Sequence, residues 1–163
     1  MAVEFSYELI GTGWAKCTLR VGEQVATVTA SCLSDGLADL ASATAAALRG
    51  HPRPSASFAD EPGEYRWILE PTADGQVRIR ILEFPELWRQ RPDEEGVVLL
   101  DGECRLQTFA GAIVSELKRL ERKHGHEGYH NEWEHDFPAE RLAELQGLLK
   151  RPSGGSTRAL DQP

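Results

Sequence analysis

Two alternating runs near the start of the chain constrain its architecture more than any other feature. Val3, Phe5, Tyr7 and Leu9 fall on one side of an extended segment, with Glu4, Ser6 and Glu8 on the other. Ala15, Cys17, Leu19 and Val21, then Ala26, Val28, Ala30 and Cys32, repeat the pattern, with Lys16, Thr18, Arg20, Thr27 and Thr29 between them. A period of two belongs to strands with one buried and one wet face, as in an antiparallel sheet. Gly22-Glu23 offers a two-residue turn with glycine at the first central position, which a type II′ turn requires. That register puts Cys17 opposite Val28 and leaves Cys32 too far along the ladder for a disulfide with Cys17.

A second hairpin joins Tyr65–Leu69 to Val77–Ile81. A tight Asp74-Gly75 turn would oppose Leu69 to Arg80 and mix the faces. A three-residue Ala73-Asp74-Gly75 loop instead opposes Leu69 to Ile79 and Trp67 to Ile81, so the spacing predicts that loop, with Gly75 left-handed. Ala56 and Phe58 extend the same face across Pro62-Gly63, and Val97–Leu100 reads as another strand.

Helical spacing appears three times. Leu33, Leu37, Leu40, Thr44 and Leu48 form a stripe that Ser34 or Asp35 can cap and that Gly50 with Pro52 ends. Leu106, Phe109, Ile113, Leu117, Leu120 and His124 form a second, stopped by Gly125. A third begins near Pro138 and buries Leu142, Leu145 and Leu149. The result is an α+β fold: a mainly antiparallel sheet of about six or seven strands with two to three helices packed on it. Setting Cys32 on Cys104 aligns Val25 with Val97, Leu37 with Phe109, Ala41 with Ile113 and Leu48 with Leu120, which suggests a pseudo-twofold βββα repeat. Residues 1–150 are read as a single domain and 151–163, rich in Pro, Gly, Ser and Thr, as a disordered tail.

A net charge of −8 argues against nucleic acid, whose phosphates are bound mainly by Lys and Arg. The start of the chain shows no basic and apolar leader, and its apolar stretches, such as the alanine-rich run 43–48, are far short of a membrane span. Three cysteines, an odd number, agree with a reducing compartment, so a cytoplasmic location with no membrane contact is expected.

Chemistry at neutral pH is concentrated in one place. Four of five histidines lie between His124 and His135. If that run is helical, His126 and His130 share a face at i and i+4, as do His130 and Glu134. With His135 they could hold zinc or a similar metal, in a metal-binding protein or a metal-dependent hydrolase. The spacing is not His-Glu-x-x-His, however, and Gly125 and Gly128 oppose a rigid helix. The competing reading is a cofactor-free polar connection anchored to the core by Tyr129, Trp133 and Phe137, with His124 facing the negative end of the preceding helix. Nucleophile elbows, Cys-x-x-Cys pairs and phosphate loops are missing; Cys104 precedes a helix but is expected to face inward.

The long connection from Phe84 to Gly96 is the better binding candidate. It carries Leu87, Trp88 and Arg89, then the acidic run Asp93, Glu94 and Glu95. Long loops are often functional, and Trp and Arg are enriched at interface hot spots. The alternative is that Trp88 folds back over the sheet and that the carboxylates are a solvated run.

The segments Gly13-Trp14-Ala15, Glu61-Pro-Gly-Glu-Tyr-Arg-Trp67, Phe84-Pro-Glu-Leu-Trp88, Phe109-Ala-Gly-Ala112, Gly128-Tyr129 and Phe137-Pro138 together resemble a family of bacterial hypothetical proteins, over about residues 3–149. That resemblance implies one domain type and no activity. In size, acidity and architecture the chain is also similar to immunity proteins, which neutralise toxins through acidic surfaces. A non-enzymatic binding domain acting on a protein partner is the leading expectation, with the metal site as its competitor and a homodimer closed through a sheet edge or helix face as a third reading.

Overall fold

The computed structural model describes residues 2–150; the expected tail at 151–163 lies outside the described residues. The first hairpins form as their alternation requires. β1 (Val3–Gly11), β2 (Trp14–Val21) and β3 (Gln24–Ser31) make an antiparallel sheet in the order β1-β2-β3, with Cys17 opposite Val28. β4 (Ser55–Ala59), β5 (Glu64–Pro71), β6 (Gln76–Phe84) and β7 (Val97–Arg105) make a second antiparallel sheet in chain order. Trp67 faces Ile81 and Leu69 faces Ile79, so the three-residue loop is the one used. Both turn glycines are left-handed, Gly22 at φ 62° and Gly75 at φ 84°.

Seven strands thus occupy two sheets, three and four, where one sheet was expected. The reason lies at β3 and β4. The helix between them carries the chain away, and β3 meets the turn after β4 through side chains and not a ladder: Thr29 Oγ1 donates to Asp60 and Ser31 Oγ to Glu61. Three strands precede the first helix and four the second.

α1 (Gly36–Leu48) packs mainly on β4, α2 (Leu106–Trp133) on β1, and α3 (Ala139–Lys150) against both helices. Leu37, Leu40 and Thr44 are buried as expected, but Leu33 is exposed because it precedes the first turn. Asp35 occupies the N-cap of α1 without a side-chain cap bond; its carboxylate accepts the Trp133 indole N–H at 3.1 Å instead. At the other end His51 N–H reaches Ala46 O and Gly50 N–H reaches Ala47 O, both at 3.0 Å, a Schellman closure around left-handed Gly50. Gly125, at φ 67° and ψ 170°, is non-helical and stops the first helix as expected; a second helix follows directly to Trp133, so α2 is two helices meeting at a kink.

An aromatic chain crosses the core. Trp67 stacks on Phe58 at 5.0 Å and meets Phe5 edge-on at 6.3 Å, while Tyr7 meets Phe58 and Trp133 edge-on. Two sheet edges are closed by side chains. Glu116 of α2 accepts the Tyr7 N–H of β1 at 2.7 Å, and Arg119 donates to Tyr7 O at 3.1 Å while pairing with Glu116. Gln24 does the same for β7: its amide oxygen accepts Asp101 N–H at 2.9 Å and its amide nitrogen donates to Asp101 O. No helix among the described residues is long and apolar enough to cross a membrane.

Candidate functional site

Strand alternation puts Ile68, Leu82 and Phe84 on the face of the second sheet turned away from the main core, where they form a separate buried cluster. The 85–96 connection is fastened over this face. Gly96 lies against Phe84 and Leu82 so closely that a Cβ there would stand 2.8 Å from the ring. The Arg66 guanidinium stacks over Phe84 at 4.2 Å and donates to Arg91 O and to Asp93, each at 2.7 Å. Asp93 also meets Arg53, and Arg91 bridges Glu86 and Glu95. The Arg91 contact, with Arg89 behind it, holds the Glu86 carboxyl below the usual range.

Trp88 stands out from this frame with 67% of its surface exposed. Its backbone is left-handed, φ 57°, as is that of Gln90 at φ 52°. Such conformations cost free energy in residues with a Cβ and persist only where surrounding contacts impose them. Here the contacts are plain: Trp88 N–H donates to Glu64 Oε1 at 3.1 Å, and Leu87 N–H to Pro62 O at 2.8 Å. Glu64 is only 7% exposed and its second oxygen takes the Ser57 hydroxyl at 3.0 Å.

The structure therefore gathers Leu87, Trp88 and Arg89 in one place, with Leu87 half-buried and Arg89 exposed beside Glu86. The acidic run does not join them as a unit. Asp93 and Glu95 are engaged by arginines, and only Glu94 remains open, in a cleft of about 320 Å³ that it shares with Arg53, Arg80, Asp93, Gly96 and Val98. A neighbouring cleft of about 310 Å³ is lined by Arg53, Arg66, Gln90 and Arg91.

The histidines do not converge. His126 stacks on Phe137 at 5.0 Å and bonds Glu121 at 2.9 Å, whereas His130 bonds Asp136 at 2.9 Å. His135 donates from Nε2 to Cys32 O at 2.7 Å, and its Nδ1 lies 3.9 Å from Asp35. Glu134 is exposed and left-handed, φ 74°, where the helix stops. Among the described residues no three His, Cys, Asp or Glu side chains gather as metal ligands would. Tyr129, Trp133 and Phe137 are buried, so the run is tied down by its aromatics. Burial, with Lys123 beside it, pushes the His124 pKa down, an effect opposite to the expected pull of the helix end.

The cysteines are free. Burial pushes the Cys104 thiol up to about 11, against any activation by the following helix. Cys32 is half-buried, not core, and burial together with Glu134 and Glu61 raises its thiol as well.

Sequence reasoning missed Glu64 as the support of Trp88 and Asp60 as a polar hub. The second of these accepts Thr29 and, at 3.2 Å, the Tyr65 hydroxyl. Neither role has a local signal, because Thr29 and Trp88 come from segments distant in sequence. No family model, curated protein or solved structure matches the chain.

Proposed function

We propose that this domain works by binding a partner protein and that Trp88, with Leu87 and Arg89, forms the centre of the contact. One observation supports this reading above the others: a large indole is held in water on a backbone that a buried carboxylate keeps in a costly conformation. Burying such a side chain elsewhere would be favourable, so a fold that props it outward keeps that free energy for association. A preorganised loop also loses little conformational freedom on binding.

The test places a photo-crosslinking amino acid at Leu87 in cells. A discrete adduct is expected whose yield drops about tenfold in Trp88→Ala, as loss of a hot spot would give. An adduct pattern unchanged by Trp88→Ala would sink the reading. An adduct of twice the chain mass would identify the partner as a second copy.

A further inference from the structure

Carboxylates in two parts of the second sheet differ in their partners. Across the outer face of the second sheet they meet arginines: Asp93 with Arg53 and Arg66, Glu70 with Arg78 and Arg80, and Asp101 with Arg78. At the tip where β4 passes into β5 the donors are neutral. Asp60 is bonded by the Thr29 and Tyr65 hydroxyls, Glu61 by the Ser31 hydroxyl, and Glu64 by the Ser57 hydroxyl and the Trp88 amide. Glu83, exposed, faces Tyr65 and Val97 across its ladders. Among the described residues none of these four acids takes part in an ion pair.

Neutral donors fix a carboxylate in place without cancelling its charge. Burial, with Asp60 beside it, pushes the Tyr65 phenol up to about 12. A cleft of about 180 Å³ opens among Asp60, Glu64, Tyr65 and Glu83.

Exposed apolar side chains border the same tip. Trp88 adjoins it through the Leu87 N–H bond to Pro62. Val97, 61% exposed, is the register partner of Glu83. Trp14, 36% exposed, pairs with Ser31, whose hydroxyl holds Glu61.

We propose that this tip docks a protein surface bearing clustered lysine or arginine side chains, with Trp88 as the apolar anchor; the inference rests on the binding function argued above. Charge complementarity at the unpaired acids selects the occupant, and Arg89, the cation beside Trp88, is offset by its pair with Glu86. A cation arriving at Asp60, Glu61 or Glu83 displaces no internal arginine, whereas one arriving at Asp93 must break existing pairs. A second copy meeting the tip with its own tip would bring like charges together, and nucleic acid would be repelled.

The test titrates the ¹⁵N-labelled full chain with a decalysine peptide, using a Gly-Ser decapeptide as control. Amide shifts are expected to centre on residues 60–64 and 83–88 and on the indole N–H of Trp14 and Trp88, weakening steeply as salt approaches physiological strength. Glu61→Gln/Glu83→Gln, which keeps the Ser31 bond acceptor, should weaken decalysine binding about fivefold, while Glu127→Gln/Glu140→Gln, with the same charge change on α2 and α3, should leave it within about twofold. Unchanged far-UV circular dichroism in both variants establishes that the fold is intact. Shifts spread over the whole acidic surface, or equal effects of the two variants, would overturn the proposal. The Leu87 crosslink separates the two failures. An adduct lost in Trp88→Ala but kept in Glu61→Gln/Glu83→Gln leaves the binding function standing and removes the cationic partner. An adduct indifferent to Trp88→Ala removes the binding function itself.

Discussion

Replacing Glu64 by alanine separates a loop that is held from one that merely rests on the sheet. The change deletes the carboxylate that accepts the Trp88 N–H and the Ser57 hydroxyl, in a position 7% exposed. A hydrogen bond to a charged acceptor contributes about 1.5–3 kcal/mol. Against it stand left-handed conformations at Trp88 and Gln90, each costing about 1–2 kcal/mol. The two sides nearly balance, so removing the carboxylate should let the loop relax locally while the sheets stay folded. About 2 kcal/mol of lost local stability corresponds to roughly 30-fold faster amide exchange at Trp88. Hydrogen exchange read by NMR measures this residue by residue, and urea unfolding should show the domain losing no more than about 2 kcal/mol. Glu64→Gln keeps an oxygen for the Trp88 N–H and should fall between the two, nearer the parent protein. Exchange at Trp88 within about threefold of the parent in Glu64→Ala would refute the argument, and would mean that Asp93 and Arg91 alone set the loop.

The other predictions concern the frame and the histidines. Glu116→Ala orphans the Tyr7 N–H and strands Arg119 beside β1, so urea unfolding should show a loss of about 3 kcal/mol, and a loss below about 1 would contradict the edge-closing role. His126→Ala/His130→Ala removes two exposed pairs and should change stability by less than about 1 kcal/mol; elemental analysis of untagged protein beside this variant checks metal directly, and stoichiometric metal lost in the double variant would restore the metal reading. For His124 the folded pKa is lowered by burial, so the unfolded chain takes up the proton first as pH falls. Its contribution is full above about pH 6.5 and is lost as pH drops through that value toward the lowered folded pKa. His124→Gln should flatten the stability profile in that window, and an unchanged slope would assign the effect elsewhere.

Legibility followed locality. The two hairpins could be read because each turn and each face is settled within about twenty residues, and only one register keeps Trp67 and Leu69 on the side of Ile81 and Ile79. The division into two sheets could not, since β3 meets the β4–β5 turn only through side chains, Thr29 and Ser31 with Asp60 and Glu61, across an intervening helix. Leu33 fits the stripe of α1 on a helical wheel, yet the helix begins three residues later. The i, i+4 spacing of His126 and His130 is real, but the two rings bond different carboxylates, His126 to Glu121 and His130 to Asp136. Asp93, Glu94 and Glu95 look like a solvated run because the arginines that claim Asp93 lie at positions 53 and 66. Charged side chains are the least predictable part of such a reading, because their partners are chosen by tertiary approach.

The same side-chain contacts bear on how the molecule can associate. A sheet edge with free N–H and C=O groups invites another strand, and folded proteins must block it. Here α2 occupies the β1 edge at Tyr7 through Glu116 and Arg119, and Gln24 occupies the β7 edge at Asp101. β4 lies under α1, and β3 turns its side chains toward Asp60 and Glu61. At the first residues of β7, Val97 and Val98 are exposed, and a strand could be added there. Those residues lie at the end of the second sheet that also carries Glu83, Phe84 and the loop leading to Trp88. A partner that used backbone pairing and one that used the indole would meet the same end of the molecule. The left-handed backbone at Trp88 and Gln90 favours the indole, because a strand partner would gain nothing from holding that loop in place.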